Sequence, residues 1–507
     1  MIRRGFHPEA ERIRAERAIS RAVRPPVPQM VQELRNRRPE KTATIIIVGA
    51  GLAGLTAAYE LQKLGFELVV LEADPAHIGG RVRTLRFGEH YGEAGAMRIP
   101  ADHDLTRFYV HEFDLTLRRF VQHNPDAFLL ARGKKVRVHN AKDLLSQYKL
   151  TDGEIELGDF GIWDKAVSEL VASLTGEEKA DLRCDRMQST RMQGLDRQSL
   201  YARFVQSGLS PGAIQLLAST WQLETYLNTS MTEHLREELQ QIWADEFDEI
   251  VGGTDLLPAA LARALKNPVN SGSQVVEITQ GSDNVAATYR SGDGERRRVT
   301  GHWLICTVPL GVLKRIAICP PLSAPKRDAI RRLSYDSATK VLALAKRRFW
   351  ETEDDIFGGG SISDGILSST WYPSDNAPIN VGKPNPGKCA APAIFLASYS
   401  WGQAARRIAG LPDEQIVLEL GKLHHPIATD PSLIERLVRW SWDRHPWSLG
   451  AYALCEPGEH VELFEALVAP EGRILLAGEH VSFDHSWMQG AIFSGLRAAT
   501  HVVEHSR

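Results

Sequence analysis

The chain has 507 residues, 43% of them hydrophobic, enough for two or three domains with full cores. Its 60 Lys and Arg nearly balance 63 Asp and Glu, and the net charge of -3 offers no bulk attraction to nucleic acid or to an acidic membrane. Five scattered cysteines without a C-x-x-C spacing argue against a zinc site or disulfide framework and fit a reducing compartment; no apolar run reaches the ~18 residues of a membrane span.

Residues 1–40 carry ten Arg against five Glu, a local charge of +5. The stretch "PEAERIRAERAISRAV" reads as a helix with Pro8 near its start, stopped by "RPPVP". Such a charge run is a solvated face, or a helix docked on the same protein or on an oligomer partner. The first twenty residues lack the apolar core of a secretory signal, so a cytoplasmic location is expected.

At residue 44 the pattern changes. "TIIIVGAGLAGLTAAYELQKLGFELVVLEAD" opens with a buried-strand run, Ile45 to Val48, and breaks at Gly49. A helix of small and apolar residues follows, then a second strand from Phe66 to Leu71 that ends on Glu72. Strand, glycine turn, helix, strand is the βαβ unit of a dinucleotide-binding fold. Gly49 makes the turn, Gly51 admits a pyrophosphate to the helix N-terminus, and Gly54 lets helix and strand pack closely. Glu72, 23 positions after Gly49, is placed to accept hydrogen bonds from a ribose.

Next comes "GGRVRT" at 79–84, with Gly79 and Gly80 for close approach and Arg81 and Arg83 for phosphate or flavin oxygens. "GEAGAMRIP" at 92–100 sets Arg98 behind a small-residue turn and ahead of the stiff Pro100, a good fork for a carboxylate. A Leu- and Glu-rich, mostly helical stretch occupies about 140–240. Beyond it lie "FDEIVGGTDLLPAAL", "QVVEITQGSDNVAATYR", "HWLICTVPLGVL" and "SYDSATKVLALAKRRFW". Read alone, Lys340 in the last of these is an edge lysine at the mouth of an apolar alternating strand. "KVLALAKRRFW" and "PAIFLASYSWG" read as strands, and "SDNAPINVGKPNPGK" as a loop. The C-terminal "RILLAGEHVSFDHSWMQGAIFSGLRAATHVV" is a short strand ending at Gly478 and Glu479, a loop, and a helix starting near Met488 whose N-terminus can face an anionic group.

Through the two glycine motifs and the C-terminal segment, residues 44–504 resemble the flavin amine oxidases, the class of monoamine, polyamine and L-amino acid oxidases. One departure is His77, where the family usually has an arginine before the "GGR". The resemblance implies an α/β fold: a discontinuous Rossmann-like FAD-binding domain (41–81, 241–330 and 451–507), a mixed-sheet substrate domain (82–139 and 331–450) and a helical insert (140–240), with 1–40 as an extension. It implies noncovalent FAD, because Ala451 stands where monoamine oxidases carry the cysteine that bonds the flavin. Cofactor contacts then fall on Gly49, Gly51, Gly54, Glu72, Gly80, Arg81, Met97, Arg98, Val276, Glu479, Trp487 and Met488. Lys340 would hold a water against flavin N5.

Arg98 and Tyr399 match the pair that holds the substrate carboxylate in L-amino acid oxidases. Tyr452 and Trp487 fall at two aromatic walls beside the flavin, and Trp371, Trp440 and Ser486 are candidates for the side-chain pocket. The histidine that animal L-amino acid oxidases carry upstream of "FDEIVGG" has no match. The expected activity is oxidative deamination of L-amino acids by dioxygen in a homo-oligomer, with bulky or aromatic side chains preferred. Alternatives on the same fold are an arginine or lysine oxidase, with Glu224, Glu237 or Glu238 on the basic side chain, an amino acid 2-monooxygenase, or a monoamine or polyamine oxidase.

Overall fold

A computed structural model describes residues 6–7, 9–14, 26–40, 43–244 and 246–506. Of the N-terminal helix expected over 8–23, residues 10–14 are helical; Pro8 and 15–23 lie outside the described residues. No helix among the described residues is long and apolar enough to cross a membrane.

The dinucleotide-type unit forms where the glycine pattern places it. Strand Thr44–Val48 runs parallel to Glu67–Leu71 on one side and Trp303–Cys306 on the other, and Ile474–Leu476 completes the four-stranded sheet. Parallel neighbours need crossovers, and helix Leu52–Lys63 supplies the first. That helix is buried from Leu52 to Gln62, as its small and apolar residues require. Gly54 is obligatory on packing grounds, since a Cβ there would lie 2.2 Å from the Gly49 carbonyl oxygen. The C-terminal helix Met488–His505 crosses the first one with equal closeness: a Cβ on Gly495 would lie 2.3 Å from the Ala53 carbonyl oxygen.

Three antiparallel strands, Gln274–Gln280, Val285–Arg290 and Arg296–Gly301, form a second sheet with Ala317–Cys319. A bulge between Val275 and Glu277 leaves Val276 outside the ladder. Between residues 140 and 240 the chain is mainly short helices, among them Asp152–Trp163, Pro211–Thr220 and Met231–Gln240.

A mixed seven-stranded sheet runs in the order Ile434–Ser441, Ala338–Ala345, Ala393–Trp401, Ser369–Tyr372, Gly359–Ser363, Phe128–Ala131, Lys134–Arg137. Here the single-strand reading of Lys340 is corrected. Its strand has a neighbour on each side, Lys340 faces Tyr399 on one and Trp440 on the other, and the strand is buried on both faces instead of alternating. Lys340 itself is 1% exposed.

Gly495→Ala drives a methyl group into the Ala53 backbone, and such overpacking costs on the order of 1–3 kcal/mol. The expected outcome is a lowered thermal midpoint and weaker flavin retention. Gly176→Ala, where nothing lies within 4 Å of the added carbon, leaves both unchanged in the same assays.

Candidate active site

One large cavity runs from the first glycine turn to the aromatic residues around Arg98. At one end, Gly49 sits at φ +104° with Thr307 packed on it, and the turn delivers the chain to helix Leu52–Lys63. That helix begins at Gly51 with no side-chain cap and no acidic residue in its first turn, so its leading N–H groups face the cavity open to an acceptor. Gly79 donates to the Ala50 carbonyl at 2.9 Å, which lays the second glycine loop beside the first. Glu72 accepts from the Ala50 and Asp74 amides at 2.7 and 2.8 Å and retains acceptor capacity toward the cavity. The bulge residue Val276 lines the same end.

The middle is held by Arg81, whose Nη1 donates to Glu479 at 2.6 Å and to the Ala451 carbonyl at 3.0 Å. Burial pushes the Glu479 carboxyl up, but Arg81 and two histidines outweigh it and keep it below its ordinary range. Glu479 also accepts from the Ser486 amide at 3.0 Å, fixing the loop that leads to Trp487 and Met488. Helix Met488–His505 also starts without a side-chain cap or an early acid, at the cavity wall. Two uncapped helix ends, a glycine cradle and a buried acid at the strand end fit FAD: the first helix could hold its pyrophosphate, Glu72 a ribose, and the second helix an anionic flavin oxygen. Arg83, by contrast, is used structurally, paired with Asp74 at 3.0 Å and lying 4.2 Å over the Trp440 ring. His77 lines the cavity and bonds the Val82 carbonyl at 3.0 Å.

At the far end stands Arg98. It directly precedes strand Ile99–Pro100, which pairs with Phe247–Ile250, itself paired with Leu117–Phe120. That small sheet brings Phe247 and Phe120 to within 5.5 and 6.0 Å of the guanidinium, while Trp371 and Trp243 lie 5.0 Å from it. Its one hydrogen bond is to Gln122 at 3.0 Å, and among the described residues no carboxylate lies within 4 Å of it. Burial pulls it down to about 10, with Tyr399, Tyr226 and Glu237 opposing, so it stays charged at neutral pH. It is partly exposed and lines the cavity.

Lys340 reaches the site from beneath. Its ammonium donates to the Gly95 carbonyl at 2.6 Å and to Met97 Sδ at 3.2 Å and lies 4.5 Å over the Tyr399 ring, while Gly95, Met97 and Tyr399 line the cavity above it. One N–H of three is left for a further acceptor. Burial lowers the lysine and raises its partner Glu93, each opposing the shift of the other.

Most other residues expected at the site are brought together there: Trp371, Tyr399, Tyr452, Ser486, Trp487 and Met488 all line the cavity. Tyr452 bonds Tyr226 at 3.0 Å and Asp336 at 3.3 Å. Trp440 does not join them, because its ring carries Arg83 and packs on His445; Trp442, just past the strand end, takes the wall instead and donates to the Ala94 carbonyl at 3.0 Å. Glu224 is exposed and Glu238 lies off the cavity, bonded by Ser168, so Glu237 alone of the three acids lines it.

Among the lining residues that sequence reasoning missed are Gln222, Tyr226, His234 and Trp243, all from the helical region and the turn after it. No motif marks them, and only the orphaned polarity of Gln222 Nε2 and His234 Nδ1 in the folded chain points to them. His234 bonds Thr229 at 2.8 Å, and burial pulls it down to about 4, so it is neutral at physiological pH. Nearby, Glu233 pairs with His485 at 3.1 Å and with Arg236 at 3.2 Å.

Comparison with known proteins agrees with this geometry. Residues 52–503 match the family described as flavin containing amine oxidoreductase. An L-amino-acid oxidase of Siganus canaliculatus is 30% identical over 490 residues, covering 94% of this chain and 88% of the relative. An L-amino acid oxidase of Bothrops pictus is 32% identical, covering 90% of this chain and 89% of the relative. A putrescine oxidase structure superposes with a TM-score of 0.73 at 18% identity, over 92% of this chain and 100% of that one, a likeness of fold. With the glycine cradle, the two uncapped helix ends and a family match across nearly the whole chain, this protein belongs to the flavin-containing amine oxidoreductases and is an oxidase built around FAD.

Proposed function

We propose that the chain oxidises L-amino acids to 2-oxo acids, with ammonia and hydrogen peroxide as the other products. The observation that carries this reading is Arg98: a charged guanidinium, buried among four aromatic rings, facing the cavity, with no carboxylate beside it in the described chain. A cation so placed is costly until an anion pairs with it, and a planar fork suits a carboxylate. Amines that lack a carboxylate leave that cost unpaid by any partner. The names of the two curated relatives support the same substrate class.

Arg98 and Tyr399 would hold the α-carboxylate and so fix the orientation of the substrate Cα–H in the cavity. Tyr452 and Trp487 wall the reacting amine and exclude water. FAD, when bound, would supply the two-electron acceptor, with dioxygen as the final oxidant and hydrogen peroxide as its product. Lys340, beneath the cavity with one N–H left, would hold a water under the bound substrate. The imino acid released hydrolyses in solution, one water giving the 2-oxo acid and ammonia. Retention of FAD is noncovalent, because Ala451 has no thiol. Five unpaired cysteines support a reducing, cytoplasmic setting.

Three measurements check this reading. Arg98→Ala leaves the substrate carboxylate unpaired and should lower kcat/KM for L-amino acids by the equivalent of about 2–5 kcal/mol, with the flavin spectrum retained. Arg98→Lys recovers only part, and equal losses for an amino acid and its decarboxylated amine would make Arg98 structural. For Lys340→Met, stopped-flow reoxidation of the reduced enzyme by oxygen should slow by on the order of 10²-fold while the flavin stays bound. Acid precipitation should leave all flavin in the supernatant; flavin on the pellet would refute noncovalent binding.

A further inference from the structure

Glu237 lies near the end of helix Met231–Gln240, half-buried on the cavity wall. The Trp243 indole N–H donates to it at 2.8 Å and the Trp487 indole at 3.4 Å. Two donors leave a carboxylate with further acceptor sites, and among the described residues no Lys, Arg or His lies within 4 Å of it. The ring of Trp243 that donates to Glu237 is also 5.0 Å from the Arg98 guanidinium. One indole therefore stands between two groups of opposite charge that face the same cavity and are not paired with each other. A buried ion without a counter-ion is unfavourable, so both ends of this arrangement are completed by a ligand that carries an anion and a cation apart.

Resting on the L-amino acid reading, we propose that Glu237 selects substrates with a cationic side chain, the carboxylate on Arg98 and the distal ammonium or guanidinium on Glu237. Trp243 and Trp487 cover the methylene stem between them. The charges around Glu237 leave this role open. Glu233, one turn earlier on the helix, is already matched by Arg236 and His485, and on the outer side His7 pairs with Asp164 while Glu9 stays near the surface. At longer range two cations act on it, Arg98 across the cavity and the chain's terminal ammonium. Burial pushes the Glu237 carboxyl up to about 7, with the two indoles opposing. The carboxyl is therefore neutral below that pH and anionic above it, so preference for a cation must rise with pH through this range.

The test compares L-arginine with its uncharged isostere L-citrulline, and L-lysine with L-norleucine, which lacks the terminal ammonium, in a peroxide assay from about pH 6 to about pH 9, where both basic side chains stay charged. Each pair shares its α-amino chemistry, so the ratio of kcat/KM values isolates the side chain. The expected ratio favours the cation by at least about tenfold at the alkaline end and falls toward one below neutrality. Glu237→Gln should flatten that profile, and Trp243→Phe, which removes a donor to the carboxylate, should move its midpoint to higher pH. If Glu237→Gln fails to fold, the wild-type profile and Trp243→Phe still decide. A ratio near or below one at every pH, with L-citrulline or L-norleucine oxidised, overturns the role of Glu237 and leaves the L-amino acid reading standing. No peroxide from any of the four overturns the role of Glu237, and no peroxide from L-phenylalanine and the other common L-amino acids overturns the L-amino acid reading as well.

Discussion

The site depends on one backbone contact. Gly95 lies so close to the Arg81 carbonyl that a Cβ would stand 2.0 Å from its oxygen, and the amides of Ala94, Gly95 and Ala96 donate to the carbonyls of Arg83 and Arg81. The loop that carries Arg98 is thereby laid on the loop that carries Arg81. Lys340 donates to the Gly95 carbonyl from the other side, and Trp442 to that of Ala94. Cofactor loop, carboxylate fork and lysine are held in one hydrogen-bonded unit. A reaction that needs two reactants aligned to within a fraction of an ångström requires that kind of support beneath its contacts.

Electrostatics around this unit follow from shielding more than from pairing. Arg81 has Glu479, and Lys340 shares a buried region with Glu93, but Arg98 has only the Gln122 amide and aromatic rings beside it, and Glu237 two indole N–H groups. Aromatic faces suit a guanidinium better than aliphatic ones, since the ring quadrupole gives back some of the lost hydration. The aromatic concentration is therefore an electrostatic feature as well as an apolar one.

The cofactor half was legible because its chemistry is local. A turn at positive φ, a helix start and a strand end lie within thirty residues of one another, and glycine is the cheapest residue that meets the φ at Gly49. Arg98 was legible for a similar reason, as a single arginine between a small-residue turn and a proline. Trp440 shows the limit: it and Trp442 are two apart, and the end of the strand at Ser441, invisible to a period of two, decides which ring meets the cavity. Lys340 shows another. An apolar run with one lysine looks like an edge strand until the pairing on both sides is known. Gln222, Tyr226, His234 and Trp243 have no mutual spacing at all, because separate helices and turns deliver them, and tertiary packing alone makes them neighbours.

The cradle is assembled from both ends of the polypeptide: its first turn is at Gly49 and its last helix begins at Met488, docked on Ala53 through Gly495. During synthesis the first glycine turn leaves the ribosome long before its partner exists. Until residues 474–503 emerge, strand Trp303–Cys306 has an open edge, and the helix Leu52–Lys63 shows an apolar flank to water. Cofactor capture therefore waits for residues 474–503, and until they emerge the nascent chain is an apoprotein with an unfinished sheet, the stage at which a chaperone has most to cover.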